Sequence, residues 1–224
     1  MGSGSNNNEI EKYTGEDDTP NKKNKKNKMN LPNRLTVFRI ILVPAIMVFV
    51  LLPESDIFNI WPEIFAAALF LIASLTDLID GILARKLNLI TNFGKLMDPL
   101  ADKFLVVGTM IAITASPSFS EIGIFSACAT AVIFFRDLAV NSIRLVASSA
   151  DGNVIAANFT GKLKTFSQCV CIMTILLEET VLSRNIGTPP YLFSYITIAL
   201  MCLITIYSGF VYFKTYWDYI DPAK

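Results

Sequence analysis

Asp77, Asp80, Asp98 and Asp102 stand within, or at the ends of, two strongly apolar runs. An ionisable group in such a run is costly, and chemistry is the default reason for keeping it there. If both runs are helices, Asp77, Asp80, Gly81, Ala84 and Arg85 share an arc of ~140° at 100° per residue, while Asp98 and Asp102 lie one turn apart on the next helix. The connection from Arg85 to Gly94 is short, so the two helices are expected to be antiparallel neighbours that bring four carboxylates to one point. Left alone, these groups would repel one another and be driven to protonate, so divalent cations are the natural compensation. Histidine is absent from the chain, which excludes His-ligated metals and His-based acid–base catalysis; oxygen-only ligation points to Mg²⁺, Mn²⁺ or Ca²⁺. Paired metals beside an apolar-walled cavity suit phosphoryl transfer, where they neutralise the oxygens of the transferred and leaving groups. A carboxylate not fully committed to metal can serve as the base. Gly81 and Ala84 on the same face leave room for a bulky ligand, or equally for another helix, to approach the backbone.

The string Asp77-x2-Asp80-Gly81-x2-Ala84-Arg85-x8-Gly94-x3-Asp98-x3-Asp102 resembles the signature of the CDP-alcohol phosphotransferase family at every fixed position and spacing. The resemblance implies that Asp77, Asp80 and Asp98 hold one or two Mg²⁺ or Mn²⁺ ions, that Asp102 completes this site, and that Asp102 takes the proton of the incoming alcohol. It also implies that Asp80, Gly81, Ala84, Arg85 and Gly94 receive the CDP moiety. The reaction it implies is attack of an alcohol on the lipid-side phosphorus of CDP-diacylglycerol with release of CMP. Members of the family commonly pair as homodimers.

Three further strings are similar to the phosphatidylglycerophosphate synthase branch of that family: Pro32-Asn33-Arg34-Leu35-Thr36-x2-Arg39, Arg136-Asp137-Leu138-Ala139-Val140-x3-Arg144, and Gly161-Lys162-x-Lys164-Thr165. By this resemblance Asn33, Thr36 and Arg39 belong with the CDP-binding residues. Arg136 and Arg144 lie ~80° apart around one helix and two turns along it, which permits a shared facing. With Lys162 and Lys164 they would make a cationic pocket for a second phosphate, such as that of glycerol 3-phosphate. Inositol phosphate would suit the same pocket, whereas inositol, serine or phosphatidylglycerol as acceptor would keep the chemistry without that use of it. Arg144, Lys162 and Lys164 would also be expected from membrane topology alone. A membrane prenyltransferase is the rival with another chemistry, since it too gathers aspartates around metal and pyrophosphate. A cation transporter would spread its acids along a path rather than cluster them.

The elements that must position these residues are helices in lipid. Of 224 residues, 53% are hydrophobic and 17% charged, and six apolar stretches, at about 37–52, 62–84, 96–116, 119–147, 162–182 and 191–215, approach the length a helix needs to cross the hydrocarbon core. The fold class expected is an all-α integral membrane protein of six transmembrane helices, preceded by a short N-terminal interfacial helix at 34–39 with Asn33 as its cap. Residues 29–224 then form one membrane domain. Residues 1–28, rich in Asn, Lys and acidic groups, form a polar tail that cannot build a core.

The basic residues Arg34, Arg39, Arg85, Lys86, Lys95, Arg144, Lys162, Lys164 and Lys214 fall on the side of both termini, and Glu54, Asp56, Glu63, Glu121, Glu178 and Glu179 on the other. Cytoplasmic termini follow, and a bacterial plasma membrane is the expected location. Trp61 and the cluster Tyr207, Tyr212, Tyr216, Trp217, Tyr219 suit interfacial belts. The four cysteines lie in apolar runs and read as buried thiols. Basic and acidic residues balance at 19 each, which gives no field favouring nucleic acid; the partners expected are CDP-diacylglycerol, glycerol 3-phosphate and membrane lipid.

Overall fold

In the computed structural model, residues 31–52, 61–86, 92–151, 159–183 and 189–217 are described; the polar tail expected at 1–28 lies outside them. Among the described residues there are six long α-helices and no strand: α1 (Leu31–Leu51), α2 (Trp61–Lys86), α3 (Asn92–Ala115), α4 (Gly123–Asp151), α5 (Phe159–Leu177) and α6 (Leu192–Thr215). This is the all-α membrane architecture expected. Each helix coincides with one apolar stretch and most continue past its polar end, because hydropathy marks only the part suited to hydrocarbon while backbone pairing runs on into charged turns. Three helical segments, Asn33–Leu51, Pro117–Val146 and Leu192–Thr215, are long and apolar enough to cross a membrane by length and composition. The N-terminal segment at 34–39 is helical and runs without a break into α1, through Pro44. A proline inside a membrane helix is tolerated where neighbours satisfy the carbonyl it frees.

The packing departs from the sequence-based expectation in one respect that matters for the site. Helices α2 and α3 touch little, because α1 packs extensively on both. A Cβ added at Gly108 of α3 would lie 2.9 Å from Val43 Cγ1 of α1, so the missing side chain allows this close approach. On its other flank α1 stacks Phe49 against Phe65 of α2, with ring centroids 5.8 Å apart. The core between these helices and α5 includes Ile46, Phe70, Met110, Ile113, Ile172 and Ile175, all fully buried. Ile41, Phe65, Ile72, Phe135, Phe166 and Phe210 are exposed, as the lipid-facing surface of a membrane bundle requires.

Two acids expected in outer loops are buried instead: Glu63 in the first turn of α2, and Glu178 where α5 gives way to a short π-helical turn, Glu178–Ser183. The Glu178 carboxylate accepts the backbone N–H of Phe193 at 2.8 Å, the N–H of Ser194 at 2.6 Å and the Ser194 hydroxyl. The first N–H groups of a helix have no partner within it, and a carboxylate opposite the positive end of the α6 dipole satisfies them. Chain entry into α6 is further fixed by Tyr191, in the left-handed region at φ 58°, whose hydroxyl donates to the Ser118 carbonyl at 2.7 Å. Of the cysteines only Cys171 is buried, while Cys128 is exposed, since an apolar helix facing lipid has no inside-only rule for a thiol.

Candidate active site

Three residues three apart on α1, Asn33, Thr36 and Arg39, form a buried polar stripe on an otherwise apolar helix. That stripe meets the carboxylates. Arg39 Nη1 lies 2.7 Å from Asp77 Oδ1 on α2, and the Thr36 hydroxyl donates to Asp98 Oδ1 on α3 at 2.6 Å. Among the described residues the two motif helices are therefore linked mainly through α1, with little direct contact between them. Gly94, at the start of α3, is buried as well. Asp102 sits one turn beyond Asp98, close enough to Asp77, Arg39 and Lys164 for their charges to act on it.

Backbone placement puts Asp80, Gly81, Ala84 and Arg85 in the last turns of α2; their side chains lie outside the described residues. The convergence of all four carboxylates is thus described for Asp77, Asp98 and Asp102 only, and among the described residues no three acids or thiols close into a ready cation cage. The donor set nonetheless suits a hard divalent cation. Among the described residues, Asp77 and Asp98 are each engaged through Oδ1 alone, and none donates a hydrogen bond to Asp102. Each carboxylate keeps oxygen lone pairs of the kind that Mg²⁺ or Mn²⁺ takes.

A cavity of about 260 Å³ opens beside Asp102. Its walls are Pro99, Asp102 and Lys103 of α3, Arg136, Asp137 and Arg144 of α4, Lys162 and Lys164 of α5, and Tyr212 of α6. All four cations singled out from the sequence thus reach one space, and that space includes the motif's last aspartate. Asp137 is the hub of the cluster: Lys164 Nζ donates to both its oxygens at 2.9 and 2.8 Å, and Arg136 Nη1 to Oδ1 at 3.1 Å. One carboxylate shared by two cations leaves the wall with net positive charge, a setting for a phosphate group.

Three residues of this wall, Lys103, Asp137 and Tyr212, were not singled out as site residues by sequence reasoning. Asp137 was visible only as a neighbour of Arg136, and Lys103 only as the residue after Asp102. Tyr212, expected in an interfacial belt, is fully buried: its ring lies 5.5 Å from the Arg136 guanidinium carbon and 5.2 Å from that of Arg144. Its burial follows from two cations that the ring face attracts and from a hydroxyl that accepts from Arg144 Nη2. Tyr207 and Trp217 do stay exposed, as a belt requires.

The comparison with known proteins agrees with this geometry. The family model described as CDP-alcohol phosphatidyltransferase matches residues 29–208. A Bacillus subtilis protein named CDP-diacylglycerol–glycerol-3-phosphate 3-phosphatidyltransferase is 37% identical over 204 residues, covering 87% of this chain and 99% of its own length. Proteins of the same name from Wigglesworthia glossinidia brevipalpis and Rickettsia typhi are 35% identical over 161 residues and 33% identical over 187 residues. They cover 71% and 83% of this chain, and 83% and 96% of their own lengths. With the signature aspartates on adjoining helix ends and the match running through α1 to α6, the chain belongs to the CDP-alcohol phosphatidyltransferase family.

Proposed function

We propose that this protein transfers the phosphatidyl group of CDP-diacylglycerol to glycerol 3-phosphate, forming phosphatidylglycerophosphate and CMP. The observation that carries this reading is the single cavity shared by Asp102 and the cations Arg136, Arg144, Lys162 and Lys164. An acceptor with its phosphate on those cations has its free hydroxyl within the same small space as the Asp102 carboxylate. The named activity of the relatives supports the same acceptor.

In this mechanism the acceptor hydroxyl oxygen forms a bond to the lipid-side phosphorus, the bond from that phosphorus to the CMP oxygen breaks, and Asp102 takes the hydroxyl proton. CMP departs as a phosphate monoester. Asn33, Thr36 and Arg39, with Asp80, Gly81, Ala84, Arg85 and Gly94, hold the CDP moiety. The buried Arg39 and Thr36 also fix the Asp77 and Asp98 carboxylates in rotamers that leave their second oxygens available. The family generally uses divalent metal ions; we assign one or two Mg²⁺ or Mn²⁺ ions to Asp77, Asp80, Asp98 and Asp102, where they would neutralise phosphate charge and stabilise the leaving group. The apolar outer surface supports a reaction carried out at a membrane, where the lipid-borne donor resides. The distribution of basic residues supports cytoplasmic termini in a bacterial plasma membrane, and the family resemblance supports a homodimer.

The test is CMP release by purified protein in lipid–detergent micelles with CDP-diacylglycerol and Mg²⁺, comparing glycerol 3-phosphate, inositol phosphate, inositol, serine and phosphatidylglycerol. Release with glycerol 3-phosphate, abolished by EDTA, is expected. Release only with another alcohol would keep the donor half of the reading and discard the acceptor.

A further inference from the structure

We infer that Tyr212 is a positioning residue for the acceptor phosphate: it holds Arg136 and Arg144 side by side on one wall of the cavity before substrate arrives. The inference rests on the acceptor reading above and extends it to a residue of α6 that neither the motif nor charge pattern marks.

Three observations meet on this residue. Its ring lies beneath both guanidinium groups, at 5.5 Å from Arg136 and 5.2 Å from Arg144. Its hydroxyl accepts from Arg144 Nη2, and Ser208, one turn earlier on the same helix, accepts from Arg136 Nη2 at 2.6 Å. Both arginines retain a buried Nε–H with no hydrogen-bond partner. Helix α6 therefore grips each guanidinium from one side through a hydroxyl and an aromatic face, and neither arginine has all its donors engaged within the protein.

The physical advantage lies in what two like charges cost to assemble. Arg136 and Arg144 on one helix face repel each other, and each carries a long side chain whose freedom is lost on binding. The negative face of one aromatic ring attracts both cations at once, and the two hydroxyls fix their planes. An anion then meets a fork pair already ordered, which is preorganisation of the binding site. Space is kept for this arrangement by Gly209, where a Cβ would lie 3.2 Å from Arg136 Cγ. The plainer role for Tyr212 is that of a core aromatic, since it also stacks on Tyr216 with centroids 5.9 Å apart. The two roles differ in what they do to kinetics.

The experiment is steady-state kinetics of Tyr212→Leu, Tyr212→Phe and Ser208→Ala in the full-length protein, with both substrates varied, and with inorganic phosphate titrated as a competitor of glycerol 3-phosphate. Tyr212→Leu is expected to raise the KM for glycerol 3-phosphate and the Ki for phosphate about tenfold together, the scale of one good charge-assisted contact. The KM for CDP-diacylglycerol and kcat should stay near wild type. Tyr212→Phe keeps the ring and should recover most of that loss, and Ser208→Ala should show an effect of a few-fold on the same two constants. If Tyr212→Leu does not fold, the two milder variants decide the matter by the same split. Equal rises in both KM values, a fall in kcat alone, or wild-type phosphate inhibition in both milder variants would overturn the inference. Wild-type protein inactive with glycerol 3-phosphate would instead overturn the acceptor reading, and this inference with it.

Discussion

The helix bundle holds acids at both of its ends, buried at one and partly exposed at the other, and the two ends use them differently. At the end where α5 meets the π-helical turn, both Glu178 oxygens accept hydrogen bonds from the first turn of α6, three donors in all. At the opposite end the described residues hold Asp77 and Asp98 by one oxygen each, and none of them donates to Asp102. The difference teaches that burial of a carboxylate among apolar helices does not by itself mark chemistry. A carboxylate with its lone pairs filled by backbone donors is a cap, and one with lone pairs left over beside a cationic cavity is a candidate for binding and proton transfer. Asp137 is intermediate: its two oxygens are fully taken, but by Lys164 and Arg136, cations that the cavity itself displays.

This contrast can be broken by mutation. The largest effect expected is from Asp102→Asn, which should lower kcat ~10²- to 10⁴-fold, the scale of a lost general base, while CDP-diacylglycerol binding persists. CMP release and nucleotide-lipid binding measured on the same preparation check it, and near-normal turnover would remove Asp102 from the proton-transfer role. Next, Arg136→Ala should raise the KM for glycerol 3-phosphate by ~10-fold or more, with the KM for CDP-diacylglycerol little changed; equal effects on both would mean that Arg136 serves the fold or the donor.

The other end should answer in stability instead of rate. Glu178→Ala leaves two backbone N–H groups and a hydroxyl without their acceptor and should cost ~2–4 kcal/mol, read as a lower midpoint of thermal unfolding in detergent. The kcat/KM of the folded fraction should remain within about twofold of wild type; a selective loss of turnover at unchanged stability would erase the distinction between the two ends. The smallest effect belongs to Gly209→Ala. Its Cβ would meet Arg136 Cγ at 3.2 Å, a mild overpacking expected to raise the acceptor KM ~2- to 3-fold without moving the unfolding midpoint beyond a degree or two, and an unchanged acceptor KM would show that Arg136 has room to shift.

Much of this was legible in the residue order. Apolar stretches at about 62–84 and 191–215 correspond to Trp61–Lys86 and Leu192–Thr215, because lipid demands a length and a polarity that local composition reports directly. The four cations that line one cavity were also conspicuous, as charges in or beside apolar runs. What stayed hidden were partners whose residue type is ambiguous. A tyrosine near the end of a membrane helix fits an interfacial belt as well as a buried cation platform, and only the pairing of Tyr212 with Arg144, 68 positions away, decides it. Glu178 read as one more outer-loop acid, since no local signal announces that the next helix will begin against it.

By itself, then, the sequence determined the all-helical membrane class, the approximate helix limits, the carboxylate motif and the family, because each depends on composition or on spacing within one or two adjacent helices. The tertiary structure alone decided that α1 packs between α2 and α3, that Thr36 and Arg39 reach the aspartates from it, and that Asp102 shares a cavity with cations of α4 and α5. Those are contacts between helices distant in the chain. They are set by which faces fit together, by small residues such as Gly108 that admit close approach, and by which buried polar groups find partners, and none of these is encoded in a local period.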